Sequence, residues 1–329
     1  MTAPLLDRAA GATLPDGLVV VVKEECECCR MVAPLLAGLA AASGSPVTVF
    51  TQDDPDFPAG VTAHHDADLE LSWRHQVETV PTLVRVVDGV EVERTVGWSK
   101  AEWQRITGVP DLGADLPVMR PGCGSLSVDP DLVDGLRVRF EGGKLHARRI
   151  ELAELEDEFE AMFSRGWTDG LPVVPPTEER VLRMLEGTTR DAQDIVATVP
   201  PDLVDVTVEK IAIAAVMAGC LPEYLPWVLT AIEAICNDEF NIHGVLATTM
   251  PVGPVIVCSG PGAHAIGMNG AGNALGQGNR ANLTIGRAVQ LVVRNVGGGR
   301  PGGVDRATLG QPGKYTFCWA EAEDTSPWE

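Results

Sequence analysis

Residues 18–23 read as a strand built on the continuous apolar, β-branched run Val19–Val22, the pattern of a strand buried on both faces. Residues 26–42 then carry Met31, Val32, Leu35, Leu36 and Leu39 at roughly helical spacing, and Gly44 stands just past them as a stop signal. Pro34 lies inside this helix and is expected to kink it. Residues 46–51 read as a second strand, followed by an acidic, proline-bearing loop from 53 to 60. A short helical segment over 68–76 holds His75. Residues 80–87 read as a strand with Pro81 at its entrance, Asp88-Gly89 as a hairpin turn, and residues 90–96 as the returning strand. After Gly97-Trp98 the pattern predicts a helix over 99–107, with Ser99 as N-cap and Glu102 completing a capping box. The predicted order is β-α-β-α-β-β-α.

The first predicted helix opens on Cys26-Glu27-Cys28-Cys29. A helix N-terminus presents unpaired N–H groups and partial positive charge, so a thiolate placed there is stabilised and becomes nucleophilic near neutral pH. Glu24, Glu25 and Glu27 act in the opposite direction, because nearby negative charge disfavours the thiolate. The third thiol, Cys28, allows an alternative disulfide or a persulfide. It also allows Cys26, Cys28 and Cys29 to grip a soft metal such as Cu(I), Zn(II) or Hg(II). His64 and His65 are adjacent and point apart on a strand, which is a poor way to complete a zinc site.

Cys26 and Cys29 enclose two residues, Pro34 follows five residues after Cys29, Pro81 opens a strand, and Gly97 precedes the last helix. Over about the first 108 residues this set resembles the thioredoxin family. The resemblance implies Cys26 as the nucleophilic thiol and Cys29 as the resolving thiol. It also implies a cis bond before Pro81, facing the thiols and shaping a substrate groove. Members usually carry Trp-Cys-Gly-Pro-Cys, whereas this pair encloses Glu27 and Cys28, which argues against a general electron donor.

Composition narrows the reading. A formal charge of -21 over 329 residues argues against a nucleic-acid or anionic-membrane partner, both of which need basic patches. No apolar run approaches the roughly 18 residues of a membrane span. Met1-Thr2-Ala3-Pro4 lacks the charged and apolar regions of a signal peptide, so the expected location is cytoplasmic. Eight cysteines in a chain of this length read as free, catalytic or metal-bound rather than as a disulfide scaffold.

Residues 109–149 carry Pro110, Gly113, Pro117, Pro121, Gly122 and Gly124, the mark of a connector. Residues 136–140 and 144–150 flank Glu141-Gly142-Gly143 and read as a β-hairpin. Cys123, set between two glycines, reads either as a further resolving thiol or internal client of Cys26, or as a small turn residue. The expected division is therefore a thioredoxin-like domain over 1–108, a connector over 109–149 and a second domain over 150–329.

In the second domain an acidic helix is expected over 150–163, with Leu152, Leu155, Phe159 and Met162 on its apolar side. The Pro/Gly-rich loop over 166–177 holds Trp167 and Asp169, and Thr177 reads as the N-cap of the next helix. Residues 195–199 read as a strand; 207–220 and 222–236 read as core helices carrying Cys220 and Cys236. His243 follows Asn241-Ile242 after the second of these helices and is equally compatible with a loop, and 254–258 reads as a buried strand. From 260 to 281 seven glycines accompany His264, Asn269, Asn273, Asn279 and Arg280, a composition suited to an anionic or amide-bearing ligand. Asn282 and Thr284 are expected to begin a helix over 283–294, whose N-terminus would seat an anion. In the tail, Glu321 and Glu323 are spaced to project from one face of a strand. Residues 167–177, 207–220, 267–287 and 295–328 resemble the bacterial domain that travels with UGSC-type selenocysteine/cysteine proteins, which implies redox or sulfur chemistry by association.

The fold class read from the sequence is α/β: a thioredoxin-like mixed sheet flanked by helices, plus a larger α+β C-terminal domain. The expected function is a thiol-dependent redox or sulfur-transfer enzyme. Cys26, Cys28, Cys29, Pro81 and Cys123 form its catalytic set. Trp167, Asp169, His264, Asn269, Asn273, Asn279, Arg280 and Asn282 bind a small molecule. The alternatives are a soft-metal (Cu, Zn, Hg) detoxification protein and a client-specific disulfide adaptor. The expected partners are a small-molecule or thiol substrate and an external reductant; a homo-oligomer is compatible with the sequence, and no organic cofactor is implied.

Overall fold

A computed structural model describes residues 14–153 and 156–325, which form two compact units divided between residues 140 and 141. In the first unit, β1 (Gly17–Val22) is followed by α1 (Glu27–Ser43), β2 (Val47–Thr51), β3 (Ala63–His65), α2 (Glu70–Arg74), β4 (Thr79–Val80), β5 (Thr82–Val87) and β6 (Val90–Val96). Five of these strands form one sheet in the order β3-β2-β1-β5-β6. The pairs β1–β2 and β2–β3 are parallel, whereas β1–β5 and β5–β6 are antiparallel. β1 is central, and Val19, Val20, Val21 and Val22 are all buried, which is why its sequence is continuous rather than alternating. β7 (Trp98–Ser99) and α3 (Lys100–Thr107) close the layer, with Trp98 and Trp103 packed at 5.3 Å between ring centroids. This mixed sheet with flanking helices is a thioredoxin-like domain.

Pro34 lies inside α1, and Gly44 caps it in the left-handed conformation at φ 65°. The Val80–Pro81 bond is cis. The capping box at α3 is absent: Ser99 occupies the N-cap without a side-chain bond, because it pairs as a strand residue and Glu102 faces Arg105.

Residues 109–140 do not form a free connector. They return to the sheet's unit through β8 (Met119–Arg120), which pairs with β7, and β9 (Cys123–Gly124), which pairs with β4. The expected hairpin over 136–150 is a helix in its first half, α4 (Val133–Glu141). Leu136, Val138 and Phe140 alternate as in a strand, but Val133, Leu136 and Phe140 also share one helical face. That face packs against Leu69 and Trp73, and this tertiary contact decides the element.

The second unit is α+β. It contains α5 (Glu158–Ser164), α6 (Glu178–Leu185), the antiparallel pair β10 (Ile195–Val199) and β11 (Val204–Thr207), α7 (Val208–Ala218) and α8 (Leu225–Ile235). α9 (Ile242–Ala247), β12 (Ile256–Cys258), α10 (Pro261–Ala265), α11 (Arg280–Asn295) and β13 (Cys318–Ala320) complete it. α7 and α8 are apolar nearly all round because both pack against α11, whose Ile285, Ala288, Val289, Val292 and Val293 are buried.

Several expectations change here. α5 starts only at Glu158, where the Asp157 carboxylate accepts from the N–H groups of Phe159 and Glu160; Leu152 precedes the helix, and Leu155 lies outside the described residues. Thr177 sits at the N-cap of α6 but makes no capping bond. β12 is short and half exposed, with Val257 48% accessible, because only β13 pairs with it. His243 lies on α9 rather than in a loop. Glu321 and Glu323 fall past the end of β13, where they accept from Ser259 Oγ and the Gly260 N–H.

Candidate active site

Asp53 fastens the sharp turn between β1 and α1, together with Arg30 Nε, which donates to the Glu24 carbonyl at 2.8 Å. Asp53 accepts from the backbone N–H groups of Glu24 (2.7 Å), Glu25 (3.0 Å) and Asp54 (2.8 Å). Burial pushes its carboxyl up, but these bonds more than offset that, so it stays below its ordinary value. The turn delivers Cys26 to the N-cap of α1, in extended backbone at φ -84°, with Cys28 and Cys29 in the first helical turn. All three thiols are buried.

The three are not equivalent. Cys26 Sγ lies 3.4 Å from the carbonyl oxygen of Val80, the residue before Pro81. Cys29 and Cys123 pack with Cys26 in one cluster, and hydrogen bonding from their thiols stabilises the Cys26 thiolate. The Cys29 bond is the larger effect, and together they outweigh burial and hold the Cys26 thiol at about 5. Cys29 goes the other way, pushed up by deep burial and then by its bond to the Cys26 thiolate, although its sulfur accepts from the Lys23 N–H at 3.4 Å. Cys28 faces elsewhere: its thiol donates to the Arg120 carbonyl at 3.6 Å, and burial pushes it up to about 11.

The expected opposition from two of the three glutamates is reduced by pairing. Glu24 accepts from Arg30 at 3.0 Å, and Glu27 pairs with Arg120. Sequence spacing could not show this, because Arg120 lies 93 residues from Glu27. The metal reading also loses its geometry. Among the described residues no group of three or more His, Cys, Asp or Glu side chains is arranged to hold a metal ion. The reason is helical: Cys28 is turned away from the side of α1 on which Cys26 and Cys29 meet.

Cys123 is brought to the site by β9. The register pairs Val80 with Cys123 and Thr79 with Gly124, so β9 lies along the strand that ends at Pro81. Burial and the bond to Cys26 push the Cys123 thiol up. The sequence reading missed the residue that fastens this segment. Gln52, buried at the end of β2, donates to Ser125 Oγ at 2.6 Å and to Ser72 Oγ at 2.7 Å, and its Oε1 accepts from the Leu126 N–H. No sequence signal marked Gln52, because its burial and its partners exist only in the folded unit.

These acidities set a pH profile. The rate of Cys26 alkylation is expected to rise with pH about a midpoint near 5, following thiolate formation. Cys28 should react appreciably only as the pH nears about 11. Competitive alkylation read by mass spectrometry checks this; a Cys26 midpoint at its ordinary value of 9.0 would contradict the arrangement.

In the second unit the Gly/Asn-rich stretch is occupied with itself. Asn282 is buried and donates to the carbonyls of Asn269 and Ala274 while accepting from the Asn269 N–H. Asn279 caps α11 by accepting from the Asn282 N–H and donates to the Gly267 carbonyl. Asn269 and Asn273 donate to the carbonyls of Gly272 and Gln277, and Arg280 Nε donates to the Gly219 carbonyl. The helix begins at Arg280, three residues earlier than expected, because Asn279 supplies the cap. Asp169 forms a two-bond pair with Arg287 at 2.8 Å, and His264 is exposed on α10. These asparagines therefore shape the loop through its own backbone.

A cavity lies elsewhere in the unit, with a volume of about 570 Å³. Leu145, Ile150, Met162, Ile213 and Met217 give it apolar walls, with Trp167 the one candidate residue among its lining. Glu209 also lines it, but its carboxylate is occupied by the N–H groups of His146 and Ala147 and by Gln193. Of the remaining thiols, Cys220 is buried and pushed up to about 12, and half-buried Cys236 is pushed up to about 11 by burial. Cys258 and Cys318 hydrogen-bond to each other on neighbouring strands. No described helix is long and apolar enough to cross a membrane.

Comparison with known proteins bears on the first unit. The chain is 38% identical over 80 residues to a thioredoxin H-type 1 of Nicotiana tabacum, covering 24% of this chain and 54% of that protein. The chain thus spans about half the length of the curated relative it matches. No family model and no solved structure matches. Sheet order, the Cys26–Cys29 pair, the cis Val80–Pro81 bond and this similarity agree: the N-terminal half is thioredoxin-like.

Proposed function

We propose that this chain is a thiol–disulfide oxidoreductase in which Cys26 is the nucleophile and Cys29 the resolving thiol. The supporting observation is the hydrogen-bonded pair at the N-terminus of α1, in which one thiol is held near 5 and its partner is pushed up. The Cys26 thiolate attacks one sulfur of a substrate disulfide, and the other sulfur leaves as a thiolate. Cys29, losing its proton, then attacks the Cys26 sulfur, giving a Cys26–Cys29 disulfide and a second substrate thiol. The substrate gains two electrons, and an external thiol reductant returns them. A persulfide carrier is less well served by this pair, since Cys29 would attack a persulfide on Cys26 and release the transferred sulfur.

Equilibration against dithiothreitol buffers, with alkylation and peptide mass spectrometry, tests the reading. One two-electron couple assigned to Cys26–Cys29 is expected. Oxidation that joins neither residue, or tight stoichiometric metal on the reduced thiols, would overturn it.

The cavity of the second unit supports a small-molecule role beside the thiol chemistry. Its apolar walls suit a ligand with an uncharged, apolar body. Ile213→Trp, which fills the cavity, is expected to weaken binding of an apolar fluorescent probe by about tenfold or more. Unchanged probe affinity in a folded Ile213→Trp protein would remove this part of the proposal.

A further inference from the structure

Cys26 is completely inaccessible, and the cover is the chain itself. Residues 118–125 run across the thiol site as a strap. Lys100 N–H donates to the Val118 carbonyl at 2.9 Å, β8 pairs with β7, β9 pairs with β4, and Ser125 N–H donates to the Glu78 carbonyl at 3.0 Å. Lys23 Nζ reaches the Gly124 carbonyl at 3.1 Å, Arg120 pairs with Glu27, and Gln52 holds Ser125. The approach is close: a Cβ at Gly97, where φ is +67°, would lie 2.7 Å from the Gly122 nitrogen, and one at Gly122 would lie 2.5 Å from the Val80 oxygen. Only glycines permit it.

The strap brings a sulfur with it. Cys123 stands opposite Val80 in the ladder, the Val80 carbonyl oxygen lies 3.4 Å from Cys26 Sγ, and Cys26, Cys29 and Cys123 pack in one cluster. Cys26 therefore sits between two thiols, one in its own helix and one in a strand laid against the edge before Pro81. An incoming disulfide would need to place a sulfur where the Cys123 sulfur already lies.

We infer that residues 118–125 are a tethered substrate, and that Cys123 exchanges with Cys29 for a disulfide bond to Cys26. The inference rests on the thiol–disulfide reading above. When the strap lifts, the Cys26 thiolate attacks an external disulfide and displaces one of its thiolates. When the strap returns, Cys123 loses its proton and attacks the Cys26 sulfur. A Cys26–Cys123 bond forms, and the second half of the external disulfide leaves as a thiol. Two electrons have passed from Cys26 and Cys123 to the external disulfide. Attack of Cys29 on Cys26 then frees Cys123 and moves the bond to Cys26–Cys29 without further oxidation.

Oxidised glutathione is the probe, at pH 7, with free thiols blocked by N-ethylmaleimide and peptides read without reduction. Cys29→Ser protein is expected to give the Cys26–Cys123 linked peptide as its main product. Cys29→Ser/Cys123→Ser protein keeps a hydroxyl at position 123 and cannot form that bond. It should hold glutathione on Cys26 at a level at least about tenfold higher. Equal glutathione on Cys26 in the two variants would overturn the inference and leave the thiol reading standing. No modification of Cys26 in either, both being folded by circular dichroism, would overturn both. Gly122→Ala, which pushes the strap from Val80, is expected to raise the Cys26 alkylation rate about tenfold. An unchanged rate would show that the strap does not limit access.

Discussion

Cys26→Ser is expected to lower disulfide-reducing activity about a thousandfold or more, because a serine hydroxyl is un-ionised at neutral pH and a poor attacking group. Cys28→Ser, two residues along, should leave activity within about twofold. The contrast follows from direction rather than from chemistry. Cys26 meets Cys29, Cys123 and the Val80 carbonyl, whereas Cys28 donates to the Arg120 carbonyl and is pushed up to about 11. Reduction of a protein disulfide by dithiothreitol, followed with each variant at pH 7, measures both. Equal losses in the two would mean that the cluster acts as a three-thiol unit, and the assignment of roles here would be wrong. Cys29→Ser should separate the steps: first attack proceeds and the mixed disulfide with substrate is no longer resolved by Cys29.

The second large effect is on stability, in the unit formed by residues 141–329. Asp169→Ala removes the carboxylate that Arg287 meets with two 2.8 Å bonds, in a pair whose side chains are 12% and 14% exposed. The guanidinium keeps only the Leu171 and Pro172 carbonyls, at 3.3 and 2.9 Å. Leaving one charge of a buried pair uncompensated costs about 3 kcal/mol, which lowers Tm by roughly 10 °C in a domain of this size. Thermal unfolding followed by circular dichroism checks it; a loss under about 1 kcal/mol would place the pair with ordinary surface contacts. The pH dependence has a fixed sign. Burial pushes the Asp169 carboxyl up, and Arg287 outweighs it, so the folded value lies below the ordinary 3.8. The stability from this pair is present above 3.8 and lost as pH falls through the lower folded value.

Local signals in the sequence were sufficient for much of the first unit. The continuous run at Val19–Val22 marks a central strand because both of its faces are covered. Gly44 marks the end of α1 because the left-handed cap needs no Cβ. Asp88-Gly89 places the turn between β5 and β6. Cys26, Cys29, Pro34, Pro81 and Gly97 sit at fixed offsets from these elements, so the thiol pair and its place at a helix N-terminus could be read directly.

Contacts distant in sequence were not legible, and they decided the chemistry. The charges of Glu24 and Glu27 are matched by Arg30 and by Arg120, and only the second partner lies far along the chain. Gln52 carries no motif; its role exists because the end of β2 meets Ser72 and Ser125. In the second unit, counting glycines and asparagines identified a shaped loop and could not say which way the amides point. Asn269, Asn279 and Asn282 turn inward onto the loop's own backbone, since a tight glycine-rich path leaves carbonyls and N–H groups that need partners.

The sequence alone thus determined a thioredoxin-like layer with a thiol pair at a helix N-terminus, because propensity, spacing and capping act over a few residues. Only the tertiary structure decided which of three adjacent thiols meet, and that a fourth, Cys123, covers them. Side-chain direction and strand pairing are set by packing between segments dozens of residues apart, and no local pattern encodes them.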